Sequence, residues 1–464
     1  MTQRHSSDGS IIGQLSDYIV KARSAELPEE VALKGKHHVL DTMAAMVSGV
    51  TLPPGELAVK YAELQGGRAE AMVVASPVMT NAVTASLCNA IMAHADETDD
   101  SHAPSGTHPG CAIVPPAFAM AEKNNRSGAD LLRGVVAGYD VGTRAMRALR
   151  RPGQAFGGSA GRNFSSHSVG GVFGAAVAAG AAVEFTPVQV RYLLSYAAQQ
   201  ASGITSWQTD LEHIEKAFDF AGMPARSGAT AATMVEAGFT GVWDVFEGFN
   251  NFFDSFAKDE AQRQELVTEL GTRYEVMLTN IKKYCVGSPI QAPVDCLVNI
   301  MREHRVGPRD LAHLVVYSST GENRLTGAEQ TMPDINLRYC LAATLIDGDL
   351  SFAAGHDVER MTRPDILAIT RKIEVRADPS LVTPESPRQG RVEFTTTGGR
   401  TYSNHVVKVR GAMENPMTTE EVVKKSRELL AMGVGGRKAD QAINALLNLE
   451  SVKSVRELRP MLQP

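Results

Sequence analysis

At 464 residues the chain is longer than one ordinary hydrophobic core, so two domains are expected, each able to fold without disulfide or metal staples. Lys and Arg number 46 against 52 Asp and Glu, a formal charge of −6 that excludes a broad nucleic-acid footprint and leaves any anionic ligand to a local cationic pocket. The five cysteines (88, 111, 285, 296 and 340) are odd in number and form no CxxC pair, so reduced thiols in a cytoplasmic protein are expected. No membrane association is expected either, because the N-terminal segment has no apolar signal core and no uncharged stretch reaches the length a bilayer requires.

In chain order, residues up to about 270 are rich in Ala, Leu, Met and Gly with helical periodicity. Helices are expected over 31–48, 80–94, 112–122, 129–149, 170–183, 187–201 and 228–237. The small residues of Gly170-Gly-Val-Phe-Gly-Ala-Ala176 suit close helix packing; no strand precedes them, as a dinucleotide-binding loop would need. Beyond 270 the pattern turns to β-branched alternation, with strands expected at 314–317, 372–376, 391–395 and 402–409 and helices at 289–303 and 335–346. Thr418 followed by Glu421 reads as a capping box that opens a helix through Ala431. The expectation is a mainly α protein: a large all-α domain (1–270 and 412–464) with an inserted smaller α+β lid domain (271–411).

The densest chemistry lies in residues 94–110, HADETDDSHAPSGTHPG, where three His and four acidic residues share 17 positions. Three readings compete: a metal site, although no recognised ligand spacing is present; helix capping by Asp99, Asp100 and Ser101; and an acid/base site in which neighbouring groups drive their pKa values apart. A second group, Arg162-Asn-Phe-Ser-Ser-His167, precedes the Gly-rich helix, where backbone N–H groups favour a carboxylate and where Ser165 or Ser166 can equally serve as a plain cap. Lys216 is a lone cation in apolar, Gly-containing text, by default a surface lysine. Lys282-Lys-Tyr-Cys-Val-Gly-Ser-Pro289 and Asn336-Leu-Arg-Tyr339 supply further cations and a phenol. No Walker loop, GxSxG elbow or HExxH helix occurs, which leaves proton chemistry without a cofactor or metal as the simplest option.

The order of these segments, with the Asp-Asp-Ser-His and Thr-His-Pro sequences of the loop, Lys216 and Glu414-Asn-Pro-Met417, resembles the MmgE/PrpD family over roughly residues 33–430. That family contains 2-methylcitrate dehydratases, cis-aconitate decarboxylases and an iminodisuccinate epimerase. The resemblance implies a homodimer acting on a small polycarboxylate, without an obligatory metal, in a cleft between helical and lid domains. It places the catalytic loop histidine on His108, the substrate-binding lysine on Lys216 and the lid-helix tyrosine on Tyr339. Glu97 and Ser101 stand where relatives carry Asp and Thr. Ser165 replaces a usual histidine, with His167 two residues on, and the usual lid histidine is replaced within 287–291.

The expected catalytic set is therefore His108, Glu97, Ser101, His167 and Tyr339; the expected substrate-binding set is Lys216, Arg162, Ser165, Gln291 and Arg338. With two family imidazoles replaced, only His108 and His167 remain as groups that titrate near neutrality. Dehydration needs both a base for C–H and an acid for the departing hydroxyl, decarboxylation needs a proton donor for a carbanion, and epimerisation needs donors on opposite faces. The expectation is a dehydratase-like C–O lyase, with decarboxylation or epimerisation as alternatives and a non-catalytic dimeric binding protein as the alternative of another class.

Overall fold

The computed structural model describes residues 9–150, 163–257, 261–321, 327, 329–383 and 386–464. The chain divides into two compact units: one comprises residues up to Ala95, Asp99–Thr279 and Thr419–Pro464, the other Asp96–Thr98 and Asn280–Thr418. Among the described residues no helix is long and apolar enough to cross a membrane.

The first unit opens with helices α1 (Ile11–Ala22), α2 (Glu29–Gly49) and α3 (Pro53–Gln65), then a short antiparallel hairpin of β1 (Ala71–Met72) and β2 (Met79–Thr80). There follow α4 (Ala82–Ala93), α5 (Pro109–Lys123), α6 (Gly128–Leu149), α7 (Ser166–Ala181), α8 (Pro187–Gln199), α9 (Ile214–Ala217), α10 (Met223–Glu236) and α11 (Phe252–Phe256). Where a helix was expected from residue 80, Thr80 pairs with Ala71 in the hairpin and Asn81 caps α4, accepting from the Thr84 N–H at 2.9 Å. Helix α5 begins three residues before the expected start because Pro109 fits the first helical position, where no N–H is needed.

The glycines of α7 do bring backbones together. A Cβ on Gly142 of α6 would stand 2.8 Å from the Gly170 carbonyl oxygen, and one on Gly174 would stand 2.8 Å from the Gly138 carbonyl oxygen. Around this seam Val141, Val172, Phe173, Ala176 and Leu194 are buried in one apolar cluster. Burial of such side chains supplies the main driving force for the helical unit.

The second unit contains α12 (Ser288–His304), β3 (Leu311–Ser318), α13 (Leu337–Asp347), α14 (Phe352–Gly355), α15 (Pro364–Thr370), β4 (Ile373–Ala377), β5 (Gly390–Thr396) and β6 (Thr401–Val406). Its sheet has the order β4-β3-β5-β6, parallel between β3 and β4 and antiparallel elsewhere. Val316 lies opposite Val375 on one side and Val392 on the other. Along β5, Gly390, Val392 and Phe394 are buried while Arg391 and Glu393 are half-buried, the alternation of a sheet with one covered face. Ile290, Val294 and Leu297 of α12 and Leu341 of α13 share the same core. The last strand ends at Val406 rather than at 409.

The chain then completes the first unit with α16 (Thr419–Val434), α17 (Gly436–Leu447) and α18 (Arg459–Leu462). The first boundary falls at 279/280 instead of 270/271. Residues 271–279 stay with the helical unit because the Glu275 N–H donates to Asp140 of α6 at 2.6 Å, and the buried Glu275 carboxylate faces Arg147 at 3.1 Å.

Candidate active site

Helix α4 ends on His94, and the chain returns to the helical unit at Asp99. The His94 and His108 imidazoles both hydrogen-bond the Asp99 carboxylate through Nδ1, His94 to Oδ2 at 2.9 Å and His108 to Oδ1 at 3.0 Å. Burial pushes the Asp99 carboxyl up, but the two imidazoles outweigh it and hold it well below the usual carboxylate range. An ionised carboxylate only accepts, so both rings carry their proton on Nδ1 and present Nε2 as the exchanging atom. The two imidazoles differ in access: the His108 side chain is 12% exposed, and that of His94 is fully buried.

Asp100 fixes the loop that carries His108. Its Oδ1 accepts from the Gly110 N–H at 2.9 Å, and its Oδ2 accepts from Tyr139 Oη at 2.6 Å and His38 Nδ1 at 2.8 Å. Asp100 thus satisfies a first-turn N–H of α5 from a distance, whereas the N-cap residue itself is His108, which makes no side-chain cap. Gly110 is required there, because a Cβ would approach the Tyr139 hydroxyl oxygen to 2.7 Å. His102, the third histidine of the loop, is structural: Nδ1 meets Ser105 Oγ at 2.7 Å and Nε2 faces Glu275 at 3.2 Å.

His167, in the first turn of α7, accepts the His108 backbone N–H at Nδ1 (3.3 Å). Burial first, then the neighbouring His108, His94 and Lys216, hold its pKa well below the usual histidine value. It is thus a neutral ring whose proton sits on Nε2, a donor rather than a cation. Phe220 lies between two imidazoles, stacked on His167 with centroids 3.5 Å apart and on His94 at 4.5 Å. His213 closes the group, its ring 5.1 Å from that of His94. The helix running from α9 into α10 contains one π-helical turn, Phe218–Gly222, which presents Phe220 here; such turns recur at functional sites. The Lys216 ammonium lies 5.2 Å from the centre of the Phe220 ring.

Other expected residues go elsewhere. Ser165 occupies the N-cap position of α7 without capping it; its hydroxyl donates to Asp219, whose carboxyl burial raises to about 6 against the pull of its serine bonds. Ser101 is buried and makes no hydrogen bond or ion pair to the imidazole group among the described residues. Arg162 lies outside the described residues.

In the second unit Glu97 pairs with Lys282, whose Nζ donates to the Glu97 carbonyl at 2.7 Å and lies 3.2 Å from its carboxylate. Gln291 bridges backbone with its whole amide: Nε2 donates to the carbonyls of Tyr284 and Val286, both at 2.9 Å, and Oε1 accepts from the Tyr284 N–H at 3.1 Å. This corrects the substrate-binding expectation for Gln291, whose donors and acceptor are already engaged. Tyr339 is a core residue that donates to the Ala354 carbonyl at 2.6 Å, and Arg338 donates to the Ile373 carbonyl.

The expected pairing of His108 with His167 is incomplete as a description of the imidazole group, since the rings of His94 and His213 lie with them. His213 is 105 residues beyond His108 in sequence and takes a left-handed conformation (φ 61°), so no periodic pattern announces it. The rarity of histidine, 12 in 464 residues, is the one signal that could have drawn attention to it. His94, Asp99 and Cys111 offer ligand atoms within 4.8 Å of one another. For a metal on this trio the fit is poor, because the Asp99 carboxylate already serves two imidazoles and the Cys111 thiol donates to the His108 carbonyl at 3.3 Å.

A carboxylate shared by two imidazoles, a neutral third imidazole and a nearby ammonium define a protein of the acid/base type on a mainly α scaffold. Residues 13–265 match the MmgE/PrpD N-terminal domain and residues 284–451 the MmgE/PrpD C-terminal domain, so the chain belongs to the MmgE/PrpD family. It is 23% identical to a cis-aconitate decarboxylase-like protein of Aspergillus oryzae, with 97% of each chain covered. It is 22% identical to the cis-aconitate decarboxylase of Homo sapiens, covering 98% of this chain and 95% of the human one.

Proposed function

We propose that the chain is a lyase that acts on a small polycarboxylate through its own acid and base groups, and that it cleaves a C–C bond by decarboxylation. The observation that carries this reading is the Asp99 carboxylate shared by His94 and His108, of which only His108 is open to solvent. His108 can therefore hold a proton at Nε2 as an imidazolium balanced by Asp99, deliver it, and regain it from water. His167, kept neutral, donates a hydrogen bond without becoming a second strong acid.

One proton donor suffices for decarboxylation. The bond to the departing carboxylate breaks, its electron pair remains on the adjacent carbon, and His108 Nε2–H protonates that carbon. Dehydration requires a base and an acid at once, which this set provides less directly. Full-length similarity to two proteins that carry the decarboxylase name supports the same choice. The Lys216 ammonium is assigned to a substrate carboxylate, and a homodimer is the working assembly.

A proton NMR time course in D₂O with cis-aconitate, citrate, 2-methylcitrate and substituted succinates tests the reading. Carboxylate loss with deuterium at the former attachment carbon is the expected result. A new alkene from citrate or 2-methylcitrate would instead establish the C–O lyase, and α-deuterium exchange alone would establish the epimerase. Silence across the panel would support a binding protein without catalysis.

A further inference from the structure

In the α+β unit, residues 386–389 lead into β5 on a backbone that is tied down. Thr383 and Ser386 exchange backbone hydrogen bonds at 3.2 and 3.3 Å, and the Gln389 amide donates to the Ser386 carbonyl at 3.1 Å and meets His405 at 3.0 Å. Neighbouring arginines are engaged: Arg391 lies 3.4 Å from Asp378, Arg376 lies 2.7 Å from Glu374, and Arg338 donates to the Ile373 carbonyl. Arg388 is the exception, since its guanidinium makes no hydrogen bond, ion pair or ring contact among the described residues. The residue is half-buried and its guanidinium nitrogens are not sealed from solvent, so a ligand can reach them. Burial lowers its pKa, and the Glu97 carboxylate opposes that shift without cancelling it. Glu97 is itself taken by Lys282 of the same unit, whose ammonium donates to its carbonyl at 2.7 Å and lies 3.2 Å from its carboxylate. One carboxylate thus serves two cations, and a positive charge is left over at Arg388.

We infer that the Arg388 guanidinium is a binding site for one carboxylate of a small organic acid. The inference rests on the polycarboxylate reading for its choice of ligand, and adds to it a residue that the proposed chemistry leaves unused. An arginine stays protonated at every pH a fold tolerates, so a guanidinium withdrawn from water is unfavourable until an anion meets it. Its planar fork matches the two oxygens of a carboxylate through parallel N–H···O bonds. The excess is a single charge, which a carboxylate balances. A phosphate carries nearly two near neutrality, so it overshoots that balance and is repelled by Glu97.

The test treats the full chain with phenylglyoxal, which forms adducts with accessible guanidinium groups, and reads each arginine by mass spectrometry after proteolysis. Labelling is measured alone, with tricarballylate, an unreactive tricarboxylate, with its trimethyl ester and with inorganic phosphate. Arg388 is expected to label. Tricarballylate at about ten times its Kd should slow that labelling on the order of tenfold by mass action, and the ester and phosphate should have little effect. Arg360, clamped by Asp347 at 2.6 and 2.7 Å, is the reference that should not respond. In Arg388→Gln the calorimetric affinity for tricarballylate should fall roughly tenfold to a hundredfold, the usual range for a hydrogen bond to a charged group. Its urea midpoint should equal or exceed that of the parent, because the substitution removes a withdrawn charge and breaks no bond. An Arg388 that does not label, labelling that tricarballylate fails to slow or that the ester or phosphate slows equally, no binding of tricarballylate by the parent, unchanged affinity in Arg388→Gln, or a lowered midpoint would each overturn the inference. Neither readout needs turnover, so the two readings fail separately. Protection of Arg388 with no activity on any substrate leaves the subsite standing and removes the lyase; carboxylate loss from a substrate with Arg388 unprotected and KM unchanged in Arg388→Gln does the reverse.

Discussion

In the helical unit, buried histidines and carboxylates bond to one another, as Asp99 does with His94 and His108. In the α+β unit, Gln291, Tyr339 and Arg338 bond instead to backbone carbonyls. The difference separates pairs in which both members titrate from groups whose partner does not. A side chain bonded to an amide carbonyl has a partner that does not titrate, whereas a carboxylate between two imidazoles redistributes charge whenever one of them gains or loses a proton. Resemblance placed residues of both kinds in the candidate site, and their bonding partners now distinguish them.

The largest effect that tests this contrast is at His108. His108→Ala should lower kcat by about 10²-fold or more, the usual scale for loss of a general acid or base, with circular dichroism and the unfolding midpoint close to those of the parent. A change confined to KM would remove His108 from the chemistry. Next is Asp99→Asn. Its amide nitrogen meets one of two rings that both present Nδ1–H, so one imidazole must shift its proton to Nε2, and kcat should drop on the order of 10²-fold. A variant with parent-like kcat would show that the shared carboxylate organises packing alone.

A buried histidine–carboxylate bond in the α+β unit gives a pH test. His356 Nε2 lies 2.8 Å from Asp96, within the same unit. Burial disfavours its charge, but the bond and charge of Asp96 prevail and raise its pKa to about 9. An unfolded histidine titrates near 6.5, so the imidazolium contributes fully below about pH 6.5, and its contribution disappears as pH rises through about 9. The urea midpoint of the parent should therefore fall between pH 7 and pH 10 more steeply than that of His356→Gln; parallel curves would argue that the pair contributes nothing. The smallest effect is at Tyr339→Phe, which removes the bond to Ala354 and should cost about 1 kcal/mol in urea unfolding with kcat unchanged. A kcat loss beyond tenfold would restore Tyr339 to the catalytic set and weaken the contrast.

Much of the architecture was legible because periodicity is local. The Gly-rich text of α7 announced a close helix contact, and β5 shows the alternation its Val392 and Phe394 suggested. The loop holding His108 stood out by the density of its titratable groups. What was not legible depends on long-range meeting. Phe220 is placed by a π-helical turn that propensity does not encode, and His213 by a left-handed backbone, so neither carries a sequence signature of its neighbours. Gln291 and Tyr339 illustrate the converse limit: residue type shows what a group can bond to, and only the fold decides whether a backbone carbonyl is there first.

The π-helical turn between α9 and α10 has a consequence for how this protein can change. An α-helix advances about 100° per residue, and a π-turn of this kind accommodates an extra residue within an otherwise regular helix. Deleting one residue between Phe218 and Gly222 would let the segment close up as a continuous α-helix in which Lys216 and α10 keep their orientation to one another, because the turn had absorbed the extra residue. In most helices such a loss scrambles the buried face. Here the change would be confined to the turn: the flanking faces would stay in place, and only the side chains presented between Phe218 and Gly222, Phe220 among them, would be redirected.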